Sequence, residues 1–348
     1  MKKQVKVGII GLGFMGTTHL DIYRNNDKAR VVAIADTDPA KRKGDIRSVV
    51  SNISGGDNSQ LLNLKGIKVY AEGLELIADP EVELVDICVP VYLHKPYALA
   101  ALAAGKHVLC EKPLARNSAD AGEIAKAAAK AKGKFMVGMC IRYWPEYRHA
   151  LEILRSGRAG KIRSATFKRV SPNIDGNGWQ NWFMKSELSG GAILDLHLHD
   201  VDFICELMGV PKSVSAFGAK AIRSDSGVDH VLARFDYGDG RLVTAEGGWA
   251  PAKGTPFEMS FQIVCEKMTL RLGAEGYSLL HEDGQMERPE VATPGLPTGW
   301  HVEIDHLLNS VLENRDPGMD LSGVVRAIRV IEAECESITA NKAVVISE

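Results

Sequence analysis

The chain enters with V-K-V-G-I-I at residues 5–10, turns through G-L-G-F-M-G at residues 11–16, and continues in a helix-like run, M-G-T-T-H-L-D-I-Y-R. This order of strand, tight turn and helix limits the fold more than any other segment. Gly11 permits the turn, Gly13 has no side chain to obstruct a pyrophosphate, and Gly16 lets the helix pack close to the strand. The N–H groups at the helix start favour an anion. Gly11, Gly13, Phe14, Met15 and Gly16 are therefore expected to contact a dinucleotide. A strand at 30–35 ends at Asp36, 20 residues beyond Gly16, the offset at which an acid accepts hydrogen bonds from the ribose hydroxyls. An ionised Asp36 repels a 2′-phosphate, so NAD is expected over NADP, although Lys41 and Arg42 just beyond leave NADP open.

With 348 residues the chain suggests about two domains. A hydrophobic share of 45% and a charged share of 25% fit an ordinary soluble globular protein. The net charge of −2 leaves no basic surplus for nucleic acid or an anionic membrane. No apolar stretch reaches the roughly 18 residues needed to span a bilayer. Lys2 and Lys3 before an apolar run imitate a signal peptide, but His19 and Asp21 follow and no cleavage site appears. The six cysteines form no C-x-x-C pair and are expected to be reduced thiols in a cytoplasmic protein.

Beyond Asp36 a helix is expected from 39 to about 50, then a polar loop at 51–60. Strands are expected at 67–70, 84–89, 107–110 and 135–139, with helices at 97–104 and 118–132. Strands alternating with helices predict a doubly wound parallel sheet, a Rossmann domain over 1–136. After Cys140 the rhythm changes. A helix at 146–155 precedes alternating strands at 163–170, 213–221, 228–237, 241–249, 259–264 and 267–272, and a helix at 321–339 closes the chain. These patterns predict an α+β domain over 137–348 with a large, mostly antiparallel open sheet. One face of such a sheet needs a cover, either helices or a second subunit, so a homodimer or homotetramer is expected.

Three segments offer chemistry. Pro90 ends a strand and His94 follows, at the carboxyl edge where open α/β sheets bind ligands; both are expected at the cofactor, with strand termination and helix capping as the plainer alternative. At the next strand end stand Glu111, Lys112 and Pro113. A lysine placed there can hydrogen-bond a substrate oxygen and stabilise an alkoxide. The third segment, G-G-A-I-L-D-L-H-L-H-D-V-D from Gly190, puts Asp195, His199 and Asp202 on one helical face at i, i+4 and i+7, with His197 pointing elsewhere. An imidazole oriented by a carboxylate suits proton removal from a hydroxyl near neutral pH. The rivals are a capped helix whose polar groups satisfy one another, and a metal site. No metal-ligand spacing supports the latter, so no metal is expected.

Taken in order, the glycine turn, Pro90 with His94, the E-K-P tripeptide and the G-G-x-x-x-D-x-x-x-H element resemble the Gfo/Idh/MocA oxidoreductases, the glucose-fructose oxidoreductase and inositol dehydrogenase family. The resemblance covers nearly the whole chain. It implies Lys112, Asp195 and His199 as the catalytic set, Asp36 as ribose ligand, Glu111 among the cofactor contacts, and a second domain whose open sheet makes the dimer. His197 departs from the smaller residue common there, and residues 51–60 look inserted. The expectation is an NAD-dependent dehydrogenase for a sugar, sugar derivative or inositol-like polyol, with Arg142, Tyr143, Trp179 and Trp182 also at the substrate. An NAD-dependent glycosidase and a noncatalytic NAD-sensing regulator are the alternatives.

Overall fold

The computed structural model describes residues 3–49 and 61–346, so the segment at 51–60 lies outside the described residues. The chain forms two compact units, one of Met1–Met139, Gly176–Trp182 and Trp300–Ser322, the other of Cys140–Asp175, Phe183–Gly299 and Gly323–Glu348.

In the first unit β1 (Val5–Ile10), α1 (Phe14–Arg24), β2 (Ala29–Ala35), α2 (Pro39–Arg42), β3 (Lys68–Tyr70), α3 (Gly73–Ala78), β4 (Leu84–Ile87), α4 (His94–Ala103), β5 (His107–Cys110), α5 (Ser118–Ala128) and β6 (Phe135–Val137) alternate. The strands form one six-stranded sheet in the order β3-β2-β1-β4-β5-β6, with every pairing parallel. That order reverses between β1 and β4, which opens a crevice at the carboxyl ends beside the glycine turn. Val7, Ile9, Leu84, Val85 and Val108 have no exposed surface. Each fully buried aliphatic side chain of this kind contributes about 1.5–3 kcal/mol. The helix expected over 39–50 is only one turn long, because Gly44 at φ 88° redirects the chain.

The second unit begins with α6 (Pro145–Arg155), β7 (Ile162–Val170), α7 (Ser186–Ser189) and α8 (Leu198–Met208). There follow β8 (Ser213–Lys220), β9 (Val228–Asp236), β10 (Leu242–Gly248), β11 (Glu258–Cys265), β12 (Met268–Gly273), β13 (Gly276–His281) and β14 (Met286–Glu287). Helix α9 (Gly299–Leu312) lies almost wholly in the first unit, where Asp305 holds Lys28 at 2.6 Å, and α10 (Leu321–Ala340) and β15 (Val344–Val345) end the chain. The nine strands are ordered β14-β13-β12-β11-β7-β10-β9-β8-β15. Only β7 and β10 pair in parallel. Period-two alternation sends Ala165, Phe167, Val231, Ala233, Phe235, Phe261 and Ile263 inward. Tyr147 of α6 packs edge-on to Phe203 of α8 at 4.9 Å and to Phe261 at 5.0 Å. The opposite face carries Phe217 and Leu232, exposed by 68% and 51% and directly paired in the β8–β9 ladder.

Strands β13 to β15 and helix α9 were not expected from the sequence. The first three are short or edge pairings, whereas α9 carried readable signals, Thr298 at its start and Trp300, Ile304, Leu307, Leu308 and Val311 at helical spacing.

Candidate active site

In the first unit the glycine turn has the shape a pyrophosphate requires. Gly11 sits at φ 92°, where a Cβ would approach the Cys88 carbonyl oxygen to 2.4 Å, and a Cβ on Gly16 would lie 1.8 Å from the Gly11 carbonyl oxygen. At Gly13 an added Cβ meets nothing within 4 Å. No side chain caps the start of α1. A bare helix N-terminus facing open space is a fit for a dinucleotide phosphate. Asp36 completes the arrangement: its Oδ2 accepts the Leu12 N–H at 2.7 Å and its Oδ1 the Asp38 N–H at 2.8 Å, so the carboxylate is fixed at the end of β2. Arg42 donates to the carbonyls of Asp36 and Thr37, and Lys41 stands 3.9 Å from the Asp36 carboxylate.

Pro90 precedes a short 3-10 turn, Val91–Leu93, that leads into α4. The His94 imidazole is buried, with Nε2 2.8 Å from the Val89 carbonyl and Nδ1 2.6 Å from the Pro113 carbonyl. Burial pushes its pKa down to about 4. The ring packs between the two loops and braces the crevice; when neutral it donates to one of the two carbonyls and only abuts the other. Glu111 is also buried; its Oε2 accepts the Lys112 N–H at 3.0 Å. Lys112 is half-buried at the end of β5. The Lys112–Pro113 peptide is cis.

In the second unit the segment read as a helix is one, with a π turn inside it. A π-helical turn, Ile193–His197, precedes α8. Its wider i→i+5 hydrogen bonding shifts the angular positions that follow, a distortion common at functional sites. Asp195 is the one residue of 191–200 that is not buried, and His199 is 9% exposed. Asp202 does not remain with them as an orienting acid, because it takes a bidentate pair of hydrogen bonds from Arg142, at 2.8 and 2.7 Å. Burial lowers the Arg142 pKa, but Asp202 outweighs burial and the net direction is upward. Its guanidinium is thus committed within the protein. Asp200 likewise holds the buried Arg169 through two hydrogen bonds, at 2.9 and 3.1 Å.

His197 has no exposed surface and its Nε2 lies 3.0 Å from Glu334 Oε2 of α10, also fully buried. The two groups face each other without the geometry of a hydrogen bond. Gly247 of β10 makes room for it: a Cβ there would come within 2.7 Å of His197 Nδ1. Trp179 and Trp182 belong to a 3-10 segment, Trp179–Met184, in which Gln180 and Asn181 take φ of 51° and 54°. Trp179 is 42% exposed. Arg142 and Tyr143 share another 3-10 segment, Cys140–Tyr143.

A glycine turn beside a carboxylate fixed at the end of the second strand, at the switch point of a doubly wound sheet, defines a dinucleotide-dependent enzyme class. Residues 5–139 match the oxidoreductase family with an NAD-binding Rossmann fold, GFO_IDH_MocA, and residues 147–271 match the GFO/IDH/MocA C-terminal domain. The chain belongs to the Gfo/Idh/MocA oxidoreductases, and the cofactor of its first domain is NAD. It is 26% identical over 257 residues to the 2,7-anhydro-N-acetylneuraminate hydratase of Escherichia coli (strain K12), covering 71% of this chain and 62% of that protein. The chain thus spans under two thirds of that relative. To the scyllo-inositol 2-dehydrogenase (NADP(+)) of Bacillus subtilis (strain 168) it is 23% identical over 369 residues, covering 98% of this chain and 96% of that one. Its fold is that of an NAD binding oxidoreductase from Klebsiella pneumoniae, with a TM-score of 0.81 at 24% identity over 99% of this chain and 100% of the other.

His19 escaped the sequence reading. The signals for it were a histidine on the apolar stripe of α1, three residues after Gly16, and an aspartate, Asp86, inside the fully buried strand L-V-D-I.

Proposed function

We propose that this chain is an NAD-dependent dehydrogenase that oxidises a ring hydroxyl of a sugar, a sugar derivative or an inositol-like polyol. The observation that carries it is the π turn, which leaves the Asp195 carboxylate accessible in an otherwise buried segment, two residues from a histidine pinned in place and four from His199. The bound nicotinamide supplies the hydride acceptor. His199 takes the hydroxyl proton on its imidazole, Lys112 steadies the oxygen as negative charge develops, and Asp195 orients the histidine and contacts the substrate. Trp182, with Trp179 and Tyr143, offers aromatic faces to the sugar ring. Arg142 serves through Asp202, shaping the site more than gripping the substrate.

Screening polyols and sugars for reduced cofactor, with NAD and NADP in parallel, tests the assignment. The expected result is NADH formation with at least one cyclic polyol or sugar, and a preference for NAD of about tenfold or more, equivalent to ~1.4 kcal/mol of repulsion at Asp36. Binding of NADH with no turnover across the panel would leave a sensor as the function. The Escherichia coli relative, named as a hydratase, favours one second reading: oxidation at the ring is transient and the net reaction adds water, as in an NAD-dependent glycosidase. Product analysis showing a hydrated or hydrolysed sugar without net NADH selects it.

The exposed Phe217 and Leu232 pair supports assembly of a homodimer or homotetramer through the outer sheet face. Sedimentation should show a dimer or larger species, and Phe217→Glu should shift it toward monomer; a wild-type protein sedimenting only as monomer removes the interface. All six cysteines are free thiols, which supports a reducing, cytoplasmic setting. Among the described residues no helix is long and apolar enough to cross a membrane.

A further inference from the structure

The first unit holds a second constellation of titratable groups that the proposed reaction does not use. His19 lies on the buried face of α1 with no exposed surface. Its Nδ1 is 2.9 Å from Asp86 Oδ2, and its Nε2 is 3.4 Å from Glu111 Oε1. Asp86, fully buried in β4, accepts the Cys88 thiol on its other oxygen at 3.3 Å. The Tyr23 hydroxyl, one turn along α1, is buried beside the same carboxylate. Glu111 faces His19 with one oxygen and the Lys112 N–H with the other. Gly138 of the neighbouring chain segment lies flat on it, for a Cβ there would stand 2.8 Å from Oε1.

The Nδ1 contact with Asp86 is a hydrogen bond, whereas Nε2 and the Glu111 Oε1 face each other without hydrogen-bond geometry and act on one another through charge. Burial opposes the charge on His19, but Asp86 and then Glu111 outweigh it, and the ring titrates above its ordinary value. Burial raises the Glu111 carboxyl; His19 is the strongest influence holding it down, with Lys112 next and Asp86 pushing the other way. The titratable groups facing this cluster are Tyr23, Asp86, Cys88, Cys110 and Lys112, with Glu303 acting on Tyr23.

We propose that His19 is a positioning residue for Lys112: clamped between Asp86 and Glu111, its imidazole holds the Glu111 carboxylate on the Lys112 N–H and so sets where the lysine side chain begins. The proposal rests on Lys112 acting at the substrate oxygen, and it moves Glu111 from the cofactor to the support of its neighbour. His19 ties α1, which carries the phosphate-binding turn, to the ends of β4 and β5. One cluster thereby registers the cofactor side of the crevice against the catalytic lysine.

The test compares His19→Gln, the near-isosteric Glu111→Gln and the double variant in the full-length protein. In His19→Gln, kcat should fall about 10- to 100-fold, the scale of a displaced catalytic group, with the Kd for NAD nearly unchanged. Without the imidazolium Glu111 keeps its proton to higher pH, so the acid limb of the kcat profile should move up by about one unit. In the Glu111→Gln background the same substitution should move neither quantity. The 15N shifts of the His19 ring, titrated without cofactor or substrate, should show a midpoint above the ordinary histidine range that moves down in Glu111→Gln. A His19 midpoint at or below the ordinary range in the wild type, an unchanged profile in His19→Gln, or equal effects in both backgrounds overturns the proposal. An imidazolium coupled to Glu111 in a protein that turns over no sugar overturns the dehydrogenase assignment instead.

Discussion

His199→Ala should lower turnover by about 10²–10⁴-fold, the usual contribution of a positioned general base, while the Kd for NAD changes little. The two effects separate because the residues proposed to hold the dinucleotide, Gly11 to Gly16 and Asp36, all belong to the first unit, whereas His199 belongs to the second. Its imidazole is nearly buried at the start of α8, directly after the π turn, so the loss should fall on kcat at saturating cofactor. Stopped-flow reduction of NAD together with fluorescence titration of NADH measures both quantities. Loss of NADH binding in this variant would show that His199 has been given the wrong role, and full activity would place the base elsewhere.

The second large effect concerns stability. Glu334→Ala should destabilise the second unit by about 2–4 kcal/mol, from the cavity it leaves in the core and the buried imidazole it leaves without a polar neighbour. His197 is then enclosed by Gly247 with no exposed surface to recover hydration. For a unit of this size that amounts to a fall in Tm of roughly 10 °C. Replacing His197 and Glu334 together by apolar side chains of similar volume should restore most of it, because the cost lies in the orphaned partner more than in the lost attraction. Calorimetry on the single and double variants reads this directly. A Glu334→Ala protein with an unchanged Tm would show that the pair contributes nothing to holding the π turn against α10.

Local signals carried the dinucleotide half of the molecule. The turn at Gly11 to Gly16 and Asp36 are set by contacts within about 25 residues, so spacing alone located them, and the strands of the first sheet followed from apolar runs between turns. The G-G-x-x-x-D-x-x-x-H segment was legible as a functional element but not as a shape. Helical spacing put Asp202 on the face of His199, but the Arg142 guanidinium takes both oxygens of its carboxylate, and the π turn changes the offset of Asp195 from both. The role of His197 was likewise open until Glu334, 137 residues later, was found against it.

The amino-acid order by itself determined the glycine turn, the aspartate that follows β2 and the alternation that makes one sheet parallel and the other mostly antiparallel. Periodicity and backbone sterics act over a few residues and are written locally. Only the tertiary structure decided which buried polar groups meet: Asp202 with Arg142, Asp200 with Arg169, His197 with Glu334, and His19 between Asp86 and Glu111. A buried charge must find its partner wherever the fold brings one, and sequence distance carries no record of that pairing.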